Sequence, residues 1–320
     1  MRPAAEAGKS EGRGSRFRAG STVGRMIRSG MTLPAVLAAT GLLTFVDPAS
    51  APAGDWPQAL TPTAAAPQAI GSPARGCLDG GQRLSLDGPG WQVMRPSRNR
   101  FWGHTDLIGF IERLAGEAAR QDSGLLVGDL SMPRGGPMPN GHRSHQFGLD
   151  VDIWFEPAPA APLSPSERES LPAVSVLAAD GEHLDPVVWT NWHETMLHAA
   201  AVDPAVDRIF VNPAIKRALC TSTPAADRAW LHRIRPWWGH DDHFHVRLVC
   251  PALDDSCIPT EPIPPGDGCD ASLDWWFSAE ARAPKPPGPP PKPLSLDDLP
   301  PACRAILTAE DPPRADAALR

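Results

Sequence analysis

Two short segments of this 320-residue chain alternate polar and apolar side chains, and both carry metal-ligating residue types on the polar side. In Gly148-Leu149-Asp150-Val151-Asp152-Ile153-Trp154-Phe155 the period of two predicts a strand with one buried face and with Asp150 and Asp152 together on one side. His243-Phe244-His245-Val246-Arg247-Leu248-Val249 repeats the pattern, with His243, His245 and Arg247 on one side and Phe244, Val246 and Leu248 on the other. The chain has 10 histidines. His142 and His145 precede the first strand, and His240, His243 and His245 stand at the second, which is the ligand chemistry of a divalent metal site.

Composition narrows the class. With 42% hydrophobic and 21% charged residues the chain can bury one substantial core, so one catalytic domain is expected. The net charge is -7 and no stretch sets basic residues beside aromatics outside the leader, which argues against a nucleic-acid partner. Arg25-Met26-Ile27-Arg28, an apolar run from Met31 to Val46 and then Ala49-Ser50-Ala51 read as a secretory signal peptide, with Met26 or Met31 as alternative starts. The run is short for a bilayer span, so a soluble mature protein without a membrane span is expected outside the cytoplasm. The expected order is leader and signal peptide over 1–51, an Ala/Pro-rich linker over 52–76, the catalytic domain over 77–280 and a Pro-rich tail over 281–320.

Cys77, Cys220, Cys250, Cys257, Cys269 and Cys303 all follow the leader and are even in number, as an oxidising compartment favours. No Cys-x-x-Cys pair is present, so disulfides are expected, with the connectivity left open. Apolar spacing predicts helices over 105–120, 186–201 and 213–219, and strands over 125–129 and 208–211. The Pro/Gly-rich stretch from Ser131 to Gly141 predicts a loop that delivers His142 and His145.

A catalytic zinc needs three His or carboxylate ligands and an open position, and His145, Asp152 and His245 supply that set. His243, on the same strand face as His245, is placed to exchange a proton or stabilise an oxyanion, and His240 fits either task. His193-Glu194-Thr195-Met196-Leu197-His198 imitates a helical zinc signature, but its histidines fall five apart, on different sides of a helix, so a helix-surface role is expected. Asp180-Gly181-Glu182-His183 offers a carboxylate and an imidazole that could join His142 in a second metal position. Trp237-Trp238 and Trp275-Trp276 suit a core or groove lining.

Three stretches together resemble the penicillin-insensitive murein endopeptidases, of the LAS-type zinc peptidases: Gly128 to Met138, His142 to Trp154, and Trp238-Gly239-His240-Asp241-Asp242-His243-Phe244-His245-Val246-Arg247. The resemblance implies an α+β LAS-type metallopeptidase domain, its central antiparallel sheet flanked by helices and long loops and stapled by disulfides. It implies a periplasmic enzyme hydrolysing D-alanyl-meso-diaminopimelyl crosslinks between peptidoglycan stem peptides. Carried onto this sequence, it puts the main Zn2+ on His145, Asp152 and His245, a second metal on His142, Asp180 and His183, and catalytic roles on His243 and His240. It also implies the pairs Cys77–Cys303, Cys220–Cys269 and Cys250–Cys257. Arg134, Arg143 and Arg247 are candidate partners for substrate carboxylates. A D-Ala-D-Ala carboxypeptidase or dipeptidase with the same metal site, and a noncatalytic metal-stapled wall-binding module, are the competing readings. A homodimer is compatible with the pattern but is not read from it.

Overall fold

A computed structural model describes residues 59–139, 142–283 and 292–310. The expected leader, and residues 284–291 of the expected Pro-rich tail, lie outside the described residues.

Ordered structure starts before Cys77. The stretch expected as linker up to residue 76 holds strand β1 (Gln68–Ser72), which pairs antiparallel with β2 (Arg75–Asp79) and buries Ala69 and Ile70. Short strands β3 (Gln82–Arg83), β4 (Asp87–Gly88), β5 (Trp91–Val93) and β6 (Trp102–Gly103) follow. Helix α1 (Thr105–Ala119) begins where the His104 side chain accepts from the Asp106 N–H, and it buries Leu107, Phe110, Ile111, Leu114 and Ala118 along one stripe. Next come β7 (Gly124–Val127), the long β8 (Asp150–Ala158), α2 (Pro165–Ser170) and α3 (Asn191–Val202). Then β9 (Val206–Val211) leads into α4 (Pro213–Ser222), started by the Asn212 cap with Pro213 in the first turn, and β10 (Ile234–Pro236) precedes β11 (His243–Leu248). The C-terminal part is helical, with α5 (Ala271–Asp274), α6 (Ala279–Arg282) and α7 (Pro301–Thr308).

Seven strands form a sheet in the order β10-β9-β11-β8-β7-β5-β4. Its centre, β9-β11-β8-β7, is antiparallel as expected, whereas β10 runs parallel to β9 and β5 parallel to β7. Val151, Ile153 and Phe155 of β8 and Phe244, Val246 and Leu248 of β11 join Leu107 and Ile111 of α1 and Met196 and Leu197 of α3 in one core. This fixes the other face of the same two strands for Asp150, Asp152, His243, His245 and Arg247, because alternate side chains must point away from the core.

Disulfides join Cys77 to Cys303, Cys220 to Cys269 and Cys250 to Cys257. The first ties α7 to the opening hairpin, where Leu299 and Ile306 pack on Ile70 in a small apolar cluster of their own. Among the described residues no helix is long and apolar enough to cross a membrane.

Candidate metal centre

His145 enters the site from a turn, with φ 65, just before Gly148 at φ 79. Its backbone N–H donates to Asp150 Oδ2 at 3.1 Å, which anchors the turn to the start of β8. Its Nδ1 lies 2.9 Å from the Leu130 carbonyl, which can only accept, so Nδ1 carries the hydrogen and Nε2 keeps a lone pair. That Nε2 faces Asp152 Oδ1 at 3.3 Å.

Asp152 and His245 are register partners across β8 and β11. His245 donates from Nε2 to Asp150 Oδ1 at 2.8 Å, leaving the lone pair on Nδ1, 3.7 Å from Asp152 Oδ1. Asp150 Oδ1 also accepts from Arg247 Nε at 2.7 Å. Asp150 thus fixes the orientation of the imidazole and is itself held by a buried guanidinium, the arrangement common behind metal-ligating histidines. His142 Nε2 stands 3.5 Å from Asp152 Oδ2 and 3.0 Å from Asp129 Oδ2. His243 Nε2 lies 3.7 Å from Asp152 Oδ1, and its Nδ1 is 2.6 Å from Asp242 Oδ1. His240 leans on this group with ring centroids 5.0 Å from His243 and 5.9 Å from His245, its Nδ1 held by the Trp238 carbonyl.

Two buried atoms decide what the cluster is for. His145 Nε2 and Asp152 Oδ1 are enclosed and have no hydrogen-bond partner, although buried polar atoms almost always find one. The lone pair of a neutral imidazole facing a carboxylate oxygen has no hydrogen to share, and a cation between them satisfies both. His142, His145 and Asp152 offer ligand atoms within 4.8 Å of one another, and His245 Nδ1 adds a fourth donor beside the same carboxylate. The residues therefore fit a divalent metal of the borderline kind that takes N and O ligands.

Burial works against protonating His145, but Asp152, then Asp150 and Asp129, raise it, so the metal-free pair holds a proton that a bound cation would displace. Burial opposes ionisation of Asp152, yet the surrounding imidazoles hold its carboxyl well below the usual range. Burial, then the neighbouring His145, pushes His245 down to about 3, so it is neutral as a ligand must be. Burial works against protonating His243 as well, but Asp152 and Asp242 outweigh it and push the ring up to about 9. Burial and His243 lower His240.

Several expectations change. Asp180 and His183 do not join His142 in a ligand group among the described residues; they sit on an exposed turn, Oδ2 to Nδ1 2.7 Å, with Asp180 Oδ1 accepting the Glu182 and His183 N–H groups. Local hydrogen bonds satisfy that carboxylate without an ion, and His142 turns to Asp129 instead. His198 is on the helix surface as expected, but His193 is buried, capping its own helix at Thr190 and packed on Trp189 and Phe155. Arg134 and Arg247 are buried: Arg134 donates to the carbonyls of Thr61, Ile306 and Ala309, and Arg247 braces Asp150. Arg143 stays exposed. Asp129, which holds His142 and accepts from Arg98 and Arg100, ends the stretch expected as a strand over 125–129, where a single carboxylate carries no ligand pattern of its own. Trp237, Trp238 and Trp276 form an aromatic group beside Phe210, whose ring meets His245 at 5.2 Å, so the tryptophans line the surface next to the cluster.

A family model described as penicillin-insensitive murein endopeptidase matches residues 69–308, a span that contains the whole cluster and all three disulfides. The chain belongs to the penicillin-insensitive murein endopeptidase family. A relative of that name from Yersinia enterocolitica is 45% identical over 253 residues, which is 79% of this chain and 90% of the relative. One from Klebsiella pneumoniae is 41% identical over 278 residues, covering 87% of this chain and 96% of the relative. One from Pectobacterium atrosepticum is 43% identical over 256 residues, covering 79% and 88%.

Proposed function

We propose that this chain is a secreted, periplasmic zinc D,D-endopeptidase that hydrolyses D-alanyl-meso-diaminopimelyl crosslinks in peptidoglycan. The pair of unpartnered buried atoms, His145 Nε2 and Asp152 Oδ1, carries the metal part of this reading, and the relatives' shared name carries the substrate class.

His145, Asp152 and His245 would hold the ion, with His142 beside them. When bound, zinc supplies a Lewis acid for the scissile carbonyl and lowers the pKa of water to about 7. His243, with its Nδ1 hydrogen held on Asp242, donates from Nε2 in its protonated form to the oxyanion that develops on the carbonyl. The same proton can pass to the departing amine, with Asp242 keeping the ring in place. His240, lowered by burial and by His243, remains neutral, and with Nδ1 held by the Trp238 carbonyl it orients water or substrate through Nε2. No step uses an activated serine, the group that β-lactams acylate, which accounts for penicillin insensitivity.

Incubation of the metal-loaded chain with crosslinked dimeric muropeptides and with a monomeric pentapeptide separates this reading from a D-Ala-D-Ala carboxypeptidase. Release of monomers from the dimer is expected. Release of D-alanine alone would reject it, and no release from either would favour a metal-stapled binding module.

A further inference from the structure

A cavity of about 530 Å³ opens beside His142, lined among others by Ser97, Arg98, Asn99, Arg100 and Met132. Among the described residues its lining includes the side chains of Arg98, Arg100 and His142 and no carboxylate. Asp129 lies beneath, accepting from Arg98 Nη1 at 3.1 Å, Arg100 Nη1 at 2.8 Å and His142 Nε2 at 3.0 Å. Arg100 is buried, whereas the Arg98 side chain is 47% exposed and spends only Nη1 on Asp129. Glu169 accepts from the Ser97 N–H and hydroxyl and is not among the residues lining the cavity.

The backbone around Arg98 is built to present it. Arg95 at φ 54 and Asn99 at φ 53 hold left-handed conformations on both sides of the turn Pro96–Arg98. Asn tolerates this conformation well, whereas it is uncommon for Arg95. His142 is the residue shared by the cavity lining and the metal cluster, and side-chain contacts run from Arg98 through Asp129 and His142 to Asp152.

We infer that this cavity is an anion subsite that holds a free carboxylate of the stem peptide, with Arg98 as the specificity-determining residue. The inference rests on the endopeptidase reading for its substrate and on the cavity alone for its charge preference. Two carboxylates have the required chemistry: the one on the diaminopimelyl carbon that bears the scissile nitrogen, and the terminal one of D-alanine.

The test uses the full metal-loaded chain and its Arg98→Gln variant on crosslinked muropeptide dimers whose diaminopimelyl carboxylates are free or amidated. A charge-assisted hydrogen bond to carboxylate predicts that the unaltered chain prefers the free acid by about 10- to 100-fold in kcat/KM, through KM. Arg98→Gln should remove that preference, bringing KM for the free acid to that for the amide, and Arg98→Lys should restore part of it. A second pair, stem peptide with a free or amidated D-alanine terminus, titrated calorimetrically, reads the terminal carboxylate and needs no turnover. Acid-selective binding without any cleavage would defeat the endopeptidase reading yet uphold the subsite. Equal handling of acid and amide by the unaltered chain in both pairs would overturn the subsite. So would an Arg98→Gln loss that strikes acid and amide alike, since a mere brace for Asp129 cannot tell them apart.

Discussion

Asp152 and His245 face each other directly across β8 and β11, and His245 Nδ1 approaches Asp152 Oδ1 at 3.7 Å only because Asp150 holds the other imidazole nitrogen. Three residues in one strand register, Asp150, Asp152 and His245, therefore set the geometry of the cluster, and Arg247, the register partner of Asp150, locks it.

Asp150→Asn should weaken metal binding without touching a ligand. The amide can still accept from Arg247, but His245 loses its charged partner and its preference for one tautomer. Competition against a metal-chelating indicator is expected to show about 10- to 100-fold lower affinity. Unchanged affinity would separate Asp150 from the site.

His243→Ala should leave metal content and fold intact, since His243 is held by Asp242 rather than by the core. Turnover of crosslinked muropeptides should fall by roughly 100- to 10,000-fold in kcat, the usual contribution of a positioned acid–base group. A fall confined to KM would reassign His243 to binding.

How much of this was legible depends on periodicity. β8 and β11 were readable because Ile153 and Phe244 alternate with Asp152 and His245 and a strand has no other way to sort them. Their register was not, because pairing Asp152 with His245 depends on tertiary packing. The opening strand was missed because Ala69-Ile70-Gly71 shows no alternation and sits beside Ala/Pro-rich sequence. The arginines misled for a related reason: a guanidinium that satisfies carbonyls, as Arg134 does, and one that faces a cavity, as Arg98 does, are the same letter. The α1 stripe and the decoy spacing of His193 and His198 needed only helical geometry, yet burial of His193 came from its neighbours Trp189 and Phe155.

The Cys77–Cys303 bond spans 226 residues and is the covalent link that holds α7 on the first hairpin. A chain-entropy treatment of so long a loop gives about 5 kcal/mol, and native bonds of this kind usually contribute about 2–5 kcal/mol. The double variant Cys77→Ala with Cys303→Ala should melt roughly 5–15 °C lower by calorimetry. An unchanged melting temperature would mean that the packing of Leu299 and Ile306 on Ile70 suffices.

Lys216 is fully buried, donates to the Leu231 carbonyl at 2.7 Å, and is pushed down to about 7 by burial and then by Arg235. Its folded value lies below the unfolded value of about 10.4, so the unfolded chain binds more protons between these limits and stability must rise with pH there. The penalty is fully present below pH 7. Relative to Lys216→Met, the unaltered chain should gain up to about 2 kcal/mol in denaturant-unfolding free energy between pH 7 and pH 9. A pH-independent difference would show that the ammonium is not strained.

Metal analysis of the purified chain beside its Asp152→Ala variant, each assayed on crosslinked murein, tests the central claim most directly. The account predicts a stoichiometric zinc equivalent and cleavage in the unaltered chain, both removed by a chelator and restored by zinc, and neither in the variant. Chelated protein that still cleaves murein, or a variant that keeps both zinc and activity, would contradict it.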